Sequence, residues 1–216
     1  MKYTRKFSRQ HKAMRARRWA ELSISILSGV MTMCLAFSTT TLAADLSRND
    51  SGVTKKDGNN YDVYAGKLIA NKSIAVNDFG FFVVNGGDKV NMHFGTAQDA
   101  ARTNKLVNMV STKIDIAGTV NAVSSMGSGN GDIYFMSPTG MVVSGQGVIN
   151  ATNIYVSTPS LANYLKMRDD DAYMQKVVEW GDSIDAHSTN GEFPLSSTGF
   201  ITVDSFDNLN ATEGTY

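Results

Sequence analysis

One phrase recurs three times in this chain, each time at the same place in a longer pattern. It reads Ile114-Asp-Ile-Ala-Gly-Thr-Val-Asn-Ala122, then Met141-Val-Val-Ser-Gly-Gln-Gly-Val-Ile-Asn-Ala151, then Ile201-Thr-Val-Asp-Ser-Phe-Asp-Asn-Leu-Asn-Ala211. Each copy is a short apolar strand, a turn of Gly or Asp type and an apolar-Asn-Ala ending. A lead-in recurs as well: Ser137-Pro-Thr-Gly-Met141 is echoed further on by Ser196-Ser-Thr-Gly-Phe200. Strand segments that repeat with no helical period between them predict a β-solenoid, in which each tier buries its inward side chains on the next. Asn121, Asn150 and Asn210 would then stack at one turn and hydrogen-bond along the column.

The formal net charge of zero conceals two opposite parts. Residues 1–20 hold eight basic groups and no acid, and an apolar run follows from Leu22 to Phe37. Next comes Ser38-Thr-Thr-Thr-Leu-Ala-Ala44, small-residued and ending in cleavage sites after Ala43 or Ala44. This order predicts a secretory signal peptide over residues 1–44, with an extended basic start, read by the Sec machinery. The run is short for a membrane span, which takes about 20 residues, and no basic cluster lies beyond it.

Removal of residues 1–44 takes away eight of the 20 Lys+Arg but only Glu21 of the 20 Asp+Glu, which leaves a net charge of −7. An acidic body argues against nucleic acid or an anionic membrane as partner. The only cysteine, Cys34, leaves with the leader, and Met31-Thr-Met33 before it makes a poor lipoprotein site. The remainder has no thiol chemistry, no disulfide and no cysteine metal site, so core packing and hydrogen-bond ladders must hold it together.

Along the chain, residues 45–60 read as a loose polar start. Strands follow at Tyr61 to Tyr64, Leu68 to Val76, Phe79 to Val84 and Val90 to Phe94, and densely from Leu106 to Val156. Residues 160–180 break the pattern: apolar residues at helical spacing, three aspartates at 169–171 and a closing Gly181 predict one or two short helices on the solenoid's side.

Catalytic constellations are scarce. His93 and His187 stand alone, without zinc spacing, and Asp185-Ala-His187 lacks a Gly-x-Ser-x-Gly elbow. Gly127-Ser-Gly-Asn-Gly-Asp132 fits a turn between strands better than a nucleotide or calcium loop. The triple Asp reads as a helix-start charge cluster, without the further oxygen ligands that calcium needs. The stretch 106–156 holds only Asp115 and Asp132, few for the acidic groove of a polysaccharide-cleaving enzyme. The sequence therefore predicts no catalytic residue, cofactor or metal.

Asn104-Lys-Leu-Val-Asn-Met-Val110, Ile114 to Ala122 and Ile133-Tyr-Phe-Met-Ser-Pro-Thr-Gly-Met-Val-Val143 together resemble the secretion domain of filamentous haemagglutinins, above all the leukotoxin-type filamentous adhesins exported by two-partner secretion. The family's Asn-Pro-Asn-Gly-Ile motif is matched by Ser137, Pro138, Thr139, Gly140 and Met141; Pro, Gly and the apolar last residue are kept, and both Asn are replaced by hydroxyl residues. A second family motif, Asn-Pro-Asn-Leu, has no counterpart. The resemblance covers residues 61–160 and a further coil at 193–211.

It implies an all-β, right-handed, single-stranded parallel β-helix. It also implies an outer-membrane two-partner secretion transporter as partner, which captures the chain unfolded in the periplasm. The product reaches the surface of a Gram-negative-type bacterium, where it meets a host ligand the sequence does not name. Asn104 and Asn108 with Ser137 to Met141 become the transporter-recognition residues. A secreted polysaccharide-active β-helix enzyme is the alternative of a different class.

The expected body, residues 45–216, is a stack of about seven tiers, roughly 30–35 Å long at the usual rung spacing. Its inward positions are Ile114, Ile116, Val120, Ile133, Phe135, Met141, Val143, Ile149, Ile154 and Val156. Because the third copy of the repeat stops at Ala211, the sequence also predicts a domain truncated at its C-terminal end, loose or self-associating over its final stretch.

Overall fold

Period-two alternation makes the strands of this chain, and Gly-, Asn- and Ser-rich links end them. The computed structural model describes residues 43–99, 103–124, 127–205 and 209–211. The predicted signal peptide lies outside the described residues save Ala43 and Ala44, as does most of the predicted loose end.

Fourteen strands are described: Thr54–Asp57 (β1), Asn60–Tyr64 (β2), Lys67–Ile69 (β3), Ile74–Val84 (β4), Lys89–His93 (β5), Lys105–Ile116 (β6), Thr119–Ser124 (β7), Gly127–Ser128 (β8), Asp132–Met136 (β9), Gly140–Val143 (β10), Val148–Ala151 (β11), Asn153–Ser157 (β12), Phe200–Val203 (β13) and Leu209–Ala211 (β14). They form two mixed sheets. The first runs β1-β2-β5-β7-β11-β14; in the second, β4 pairs with β6, whose two halves continue into β9-β12 and β10-β13.

Parallel pairs carry the stacking. Asn60 pairs with Lys89, Lys89 with Thr119 and Thr119 with Val148, so the chain returns to the first sheet at nearly constant intervals. The three copies of the repeated phrase lie in register: Ile114, Met141 and Ile201 form one row, and Val120, Ile149 and Leu209 another. Four tiers are complete and β14 opens a fifth, a stack of about 19 Å from first rung to last. The expected seven tiers are corrected for two reasons. One tier consumes the whole stretch of chain from Lys89 to Thr119, and the stretch 158–199 is an insertion between β12 and β13 rather than further rungs.

Antiparallel pairing corrects the purely parallel expectation. The pairs β1–β2, β3–β4 and β7–β8 are antiparallel. Residues 45–48, predicted loose, also bridge β4 antiparallel, Asp45 to Val83 and Arg48 to Phe79. The expected single strand from Leu68 to Val76 is a hairpin, because Ala70, Asn71 and Lys72 all take positive φ (50°, 54° and 66°) and reverse the chain. Conversely, the expected break between Val110 and Ile114 is absent from β6, which stays continuous against β4 with a bulge opposite Gly80.

Two cores result. Between the sheets lie Phe79, Phe82, Leu106, Ile114, Ile133, Phe135, Met141, Ile149 and their neighbours, with every predicted inward position buried there or packed against it. A second core forms on the outer face of the second sheet, where Val76, Val107, Met109, Tyr134 and Met136 meet the insertion. The insertion folds as helices Leu161–Asp169 (α1) and Asp171–Trp180 (α2), a 3-10 turn at Gly181–Ser183 and helix Ile184–Thr189 (α3), which lies past the predicted helical end at Trp180. Ser160 caps α1 by accepting from the Asn163 N–H. Asp170 ends α1 and caps α2 through the amides of Ala172 and Tyr173, the commonest device for orphan N–H groups. Tyr164, Met167, Met174, Val177 and Val178 supply the buried stripe. Among the described residues no helix is long and apolar enough to cross a membrane.

Candidate functional site

The corner Ser137–Met141 sits where the second sheet bends, above the bulge of the tiers beneath. There the Ser111 and Thr112 hydroxyls both donate to the Gly80 carbonyl. Ser137 Oγ reaches the Thr112 carbonyl at 3.5 Å and Thr139 Oγ1 at 3.1 Å, and the Gly140 amide returns to Ser137 O at 3.2 Å. The Ser137 and Thr139 hydroxyls thus bond the corner to itself and to the tier beneath. Gly140 holds φ +101°, and a Cβ there would meet the Phe200 carbonyl oxygen at 1.7 Å. Only glycine permits both that backbone and that approach.

The echo at Ser196–Phe200 turns differently one tier on: Ser196 Oγ, not its carbonyl, accepts from the Thr198 and Gly199 amides at 3.3 and 3.0 Å, and Gly199 lacks the positive φ of Gly140. Its strand register differs by one residue from the alignment of the two phrases: Met141 pairs with Ile201, and Phe200 falls opposite Gly140. The extra residue leaves Phe200 58% exposed.

Of the seven predicted recognition residues, five are interior. Ser137 and Met141 are 1% exposed, Asn108 is fully buried, and Pro138 and Gly140 are buried too; Asn104 and Thr139 reach the surface. The structure does not gather them into one surface patch. Asn108 lies between the sheets, accepting from Asn77 Nδ2 at 2.9 Å and donating to the Tyr134 carbonyl at 3.3 Å. Asn77 in turn accepts from Arg48 Nη2 at 2.8 Å. Asn104 is at the tier edge, its carbonyl accepting from the Asp132 amide at 2.7 Å.

The asparagine column forms through Asn121 and Asn150 and begins earlier than the repeat suggested; the side chain of Asn210, its expected third member, lies outside what is described. Asn150 donates to Asn121 at 2.8 Å, Asn121 to Asn91 at 3.0 Å and Asn91 to Asp62 at 3.1 Å. Asn91 was legible: Val90-Asn91 precedes Val120-Asn121 by one tier, as Val120-Asn121 precedes Ile149-Asn150. Arg48 and Asn77 carried no such signal.

Neither described histidine stands alone. His93 Nε2 meets Asp62 Oδ1 at 2.9 Å and stacks on Tyr64, and this contact holds the Asp62 carboxyl below its ordinary range. His187 pairs with Glu192, not with Asp185, and stacks on Trp180. Asp50 and Asp78 share a cavity of about 200 Å³ with Lys67 and Arg168. Burial pushes the Asp78 carboxyl up. Asp50 is committed: it accepts from Arg48 Nε at 2.7 Å, the Gly52 amide at 3.0 Å and the Asp78 amide at 2.7 Å. Among the described residues no group of three or more His, Asp or Glu side chains is placed to hold a metal. No family model matches this chain, and no curated protein or solved structure matches it either.

Proposed function

We propose that the tiers are coils of a right-handed parallel β-helix and that this chain acts as the secretion domain of a filamentous, haemagglutinin-like adhesin. An outer-membrane two-partner transporter would recognise it in the periplasm and release it at the cell surface. The reading rests on the resemblance of residues 104–151 to that family, and one structural observation supports its mechanism. Ser137, Pro138, Gly140, Met141 and Asn108 are buried once the tiers stack. A transporter that reads these residues must do so on the unfolded chain. Folding outside then hides the recognition sequence, which makes release one-way. Parallel tiers suit this route, since each emerged rung offers the next a template about 4.8 Å away.

Co-expression with and without the cognate transporter tests the proposal. Export that depends on the barrel, and falls when Pro138 and Thr139 are both replaced by Asp, is the expected result. Equal secretion in the absence of the barrel would sink it. The alternative, a polysaccharide-active enzyme, has Asp50 and Asp78 at one cavity in its favour. It predicts depolymerisation of a supplied polysaccharide that is lost in Asp78→Asn.

A further inference from the structure

One cavity is lined by residues of β3, β4 and β6 and by helices α1 and α2 of the insertion. Its volume is about 200 Å³. That is below the range of about 300–1,000 Å³ in which drug-sized molecules bind. At about 30 Å³ of liquid per water, it has room for about seven waters, the size of a small free amino acid.

The lining is divided by chemistry. Val76, Met109 and Met174 are buried and give an apolar wall; the two thioether chains adapt to irregular shapes. Asp78 is the anion. Its Oδ1 accepts from Asn49 Nδ2 at 3.2 Å, and no described group bonds its other oxygen. Burial raises the pKa of this carboxyl, so a cation beside it is what the site lacks. Neighbouring Asp50 already accepts from Arg48 and from the amides of Gly52 and Asp78.

Two cations complete the lining, Lys67 and Arg168. Lys67 pairs with Asp171 at 2.5 Å and Arg168 with Asp169 at 2.9 Å, both at the exposed surface, where ion pairs are weak. Arg168 engages Asp169 through Nε and Nη2 alone, which leaves Nη1 to another acceptor. Beyond this lining, the buried Tyr164 hydroxyl has no partner, and both the Asp78 carboxylate and the Arg168 guanidinium act on it.

We propose that this cavity binds a free α-amino acid with an apolar side chain. Its ammonium would meet the Asp78 carboxylate, and its carboxylate the Arg168 and Lys67 side chains. Its side chain would lie against Val76, Met109 and Met174. Such a zwitterion answers the anion, the cations and the apolar wall together, whereas a simple amine or a fatty acid answers only some of them. The insertion supplies Arg168 and Met174, so the site depends on the part of the chain that the tier repeat does not require. This inference goes beyond export and does not rest on it.

The probe is L-leucine, titrated into the folded chain and followed by calorimetry. Saturable binding is expected, weakened about tenfold or more in Asp78→Asn and in Arg168→Gln, since each loses a charge-assisted hydrogen bond. Where a variant fails to fold, the ligand makes the same test. N-acetyl-L-leucine lacks the ammonium and L-leucinamide lacks the carboxylate, and both should bind about tenfold or more weakly than L-leucine. Absence of saturable binding at millimolar leucine, folded variants that bind as the parent does, blocked analogues that bind as leucine does, or a preference for L-glutamate over L-leucine would each overturn the proposal.

Discussion

Asn150 donates its side-chain amide to Asn121 at 2.8 Å, across the gap between one tier and the next. Asn121 is both acceptor and donor, since its own amide reaches Asn91 at 3.0 Å. Replacing it by Ala removes at once the acceptor of the Asn150 amide and the donor to the Asn91 oxygen. Unmet buried polar groups are destabilising by about 1–3 kcal/mol, so Asn121→Ala should lower the unfolding free energy by that amount, read as a lower urea midpoint at an unchanged slope. An unaltered midpoint would mean that water replaces the ladder at no loss.

Gly140→Ala should be far more damaging than Gly129→Ala. Both glycines have positive φ, +101° and +77°, but a Cβ at 129 meets nothing within 4 Å whereas one at 140 strikes the Phe200 backbone. Backbone strain alone is worth about 1–3 kcal/mol, and the clash must add to it by pushing β13 off β10. Thermal unfolding of the two variants side by side gives the answer; equal losses would show that the corner yields freely.

The repeated phrase made the row Ile114–Met141–Ile201 readable, because a tier must repeat its inward residues to stack them. The second core was hidden by the same logic. Val107, Met109, Tyr134 and Met136 are the outward neighbours of the inward row, yet they lie under the helices, so β6 and β9 are apolar on both sides. The offset of Phe200 was legible in two alignments that disagree by one residue: the lead-in sets Met141 against Phe200 and the repeated phrase sets it against Ile201, and the strands pair as the phrase does. The candidate site was legible as a segment and not as a surface. Sequence marks Ser137 to Met141 as a special corner, but burial is a property of the tiers above and below it.

Two carboxylates should pull the acid limb of stability in opposite directions. His93 lowers the Asp62 pKa from 3.8, so the folded state favours the anion there. That stabilisation is present above the unfolded value and is lost as pH falls through the folded one. Asp78 is raised by burial, so its contribution is present below 3.8 and is lost as pH rises through its folded value. Urea unfolding from about pH 5 to about pH 2.5 should show a shallower acid loss for Asp62→Asn, by less than about 1 kcal/mol because the pair is exposed to solvent. Asp78→Asn should instead gain stability relative to the parent as pH rises. The same sign for both variants would refute the assignment.

Arg48 closes the first tier. Its side chain is 9% exposed, donates to Asp50 at 2.7 Å and Asn77 at 2.8 Å, and lies with its guanidinium carbon 4.9 Å from the centre of the Phe79 ring. The first rung of a stack has no tier beneath it, so some group must cover its apolar end and answer its inward polar residues. Arg48→Met keeps an unbranched stem over Phe79 and leaves Asp50 and Asn77 without their cation, a change expected to be destabilising by about 3–5 kcal/mol. Adding Asp50→Asn should recover part of the loss, giving a coupling energy of about 1–3 kcal/mol in the double-mutant cycle. The damage should also be local. Amides of Gly80 and Val83, bonded to the carbonyls of Ser47 and Asp45, should lose hydrogen-exchange protection first, while Thr119 and Val148 in the later tiers keep theirs. Uniform loss across all tiers would show that Arg48 supports the whole stack and is not a cap on its first rung.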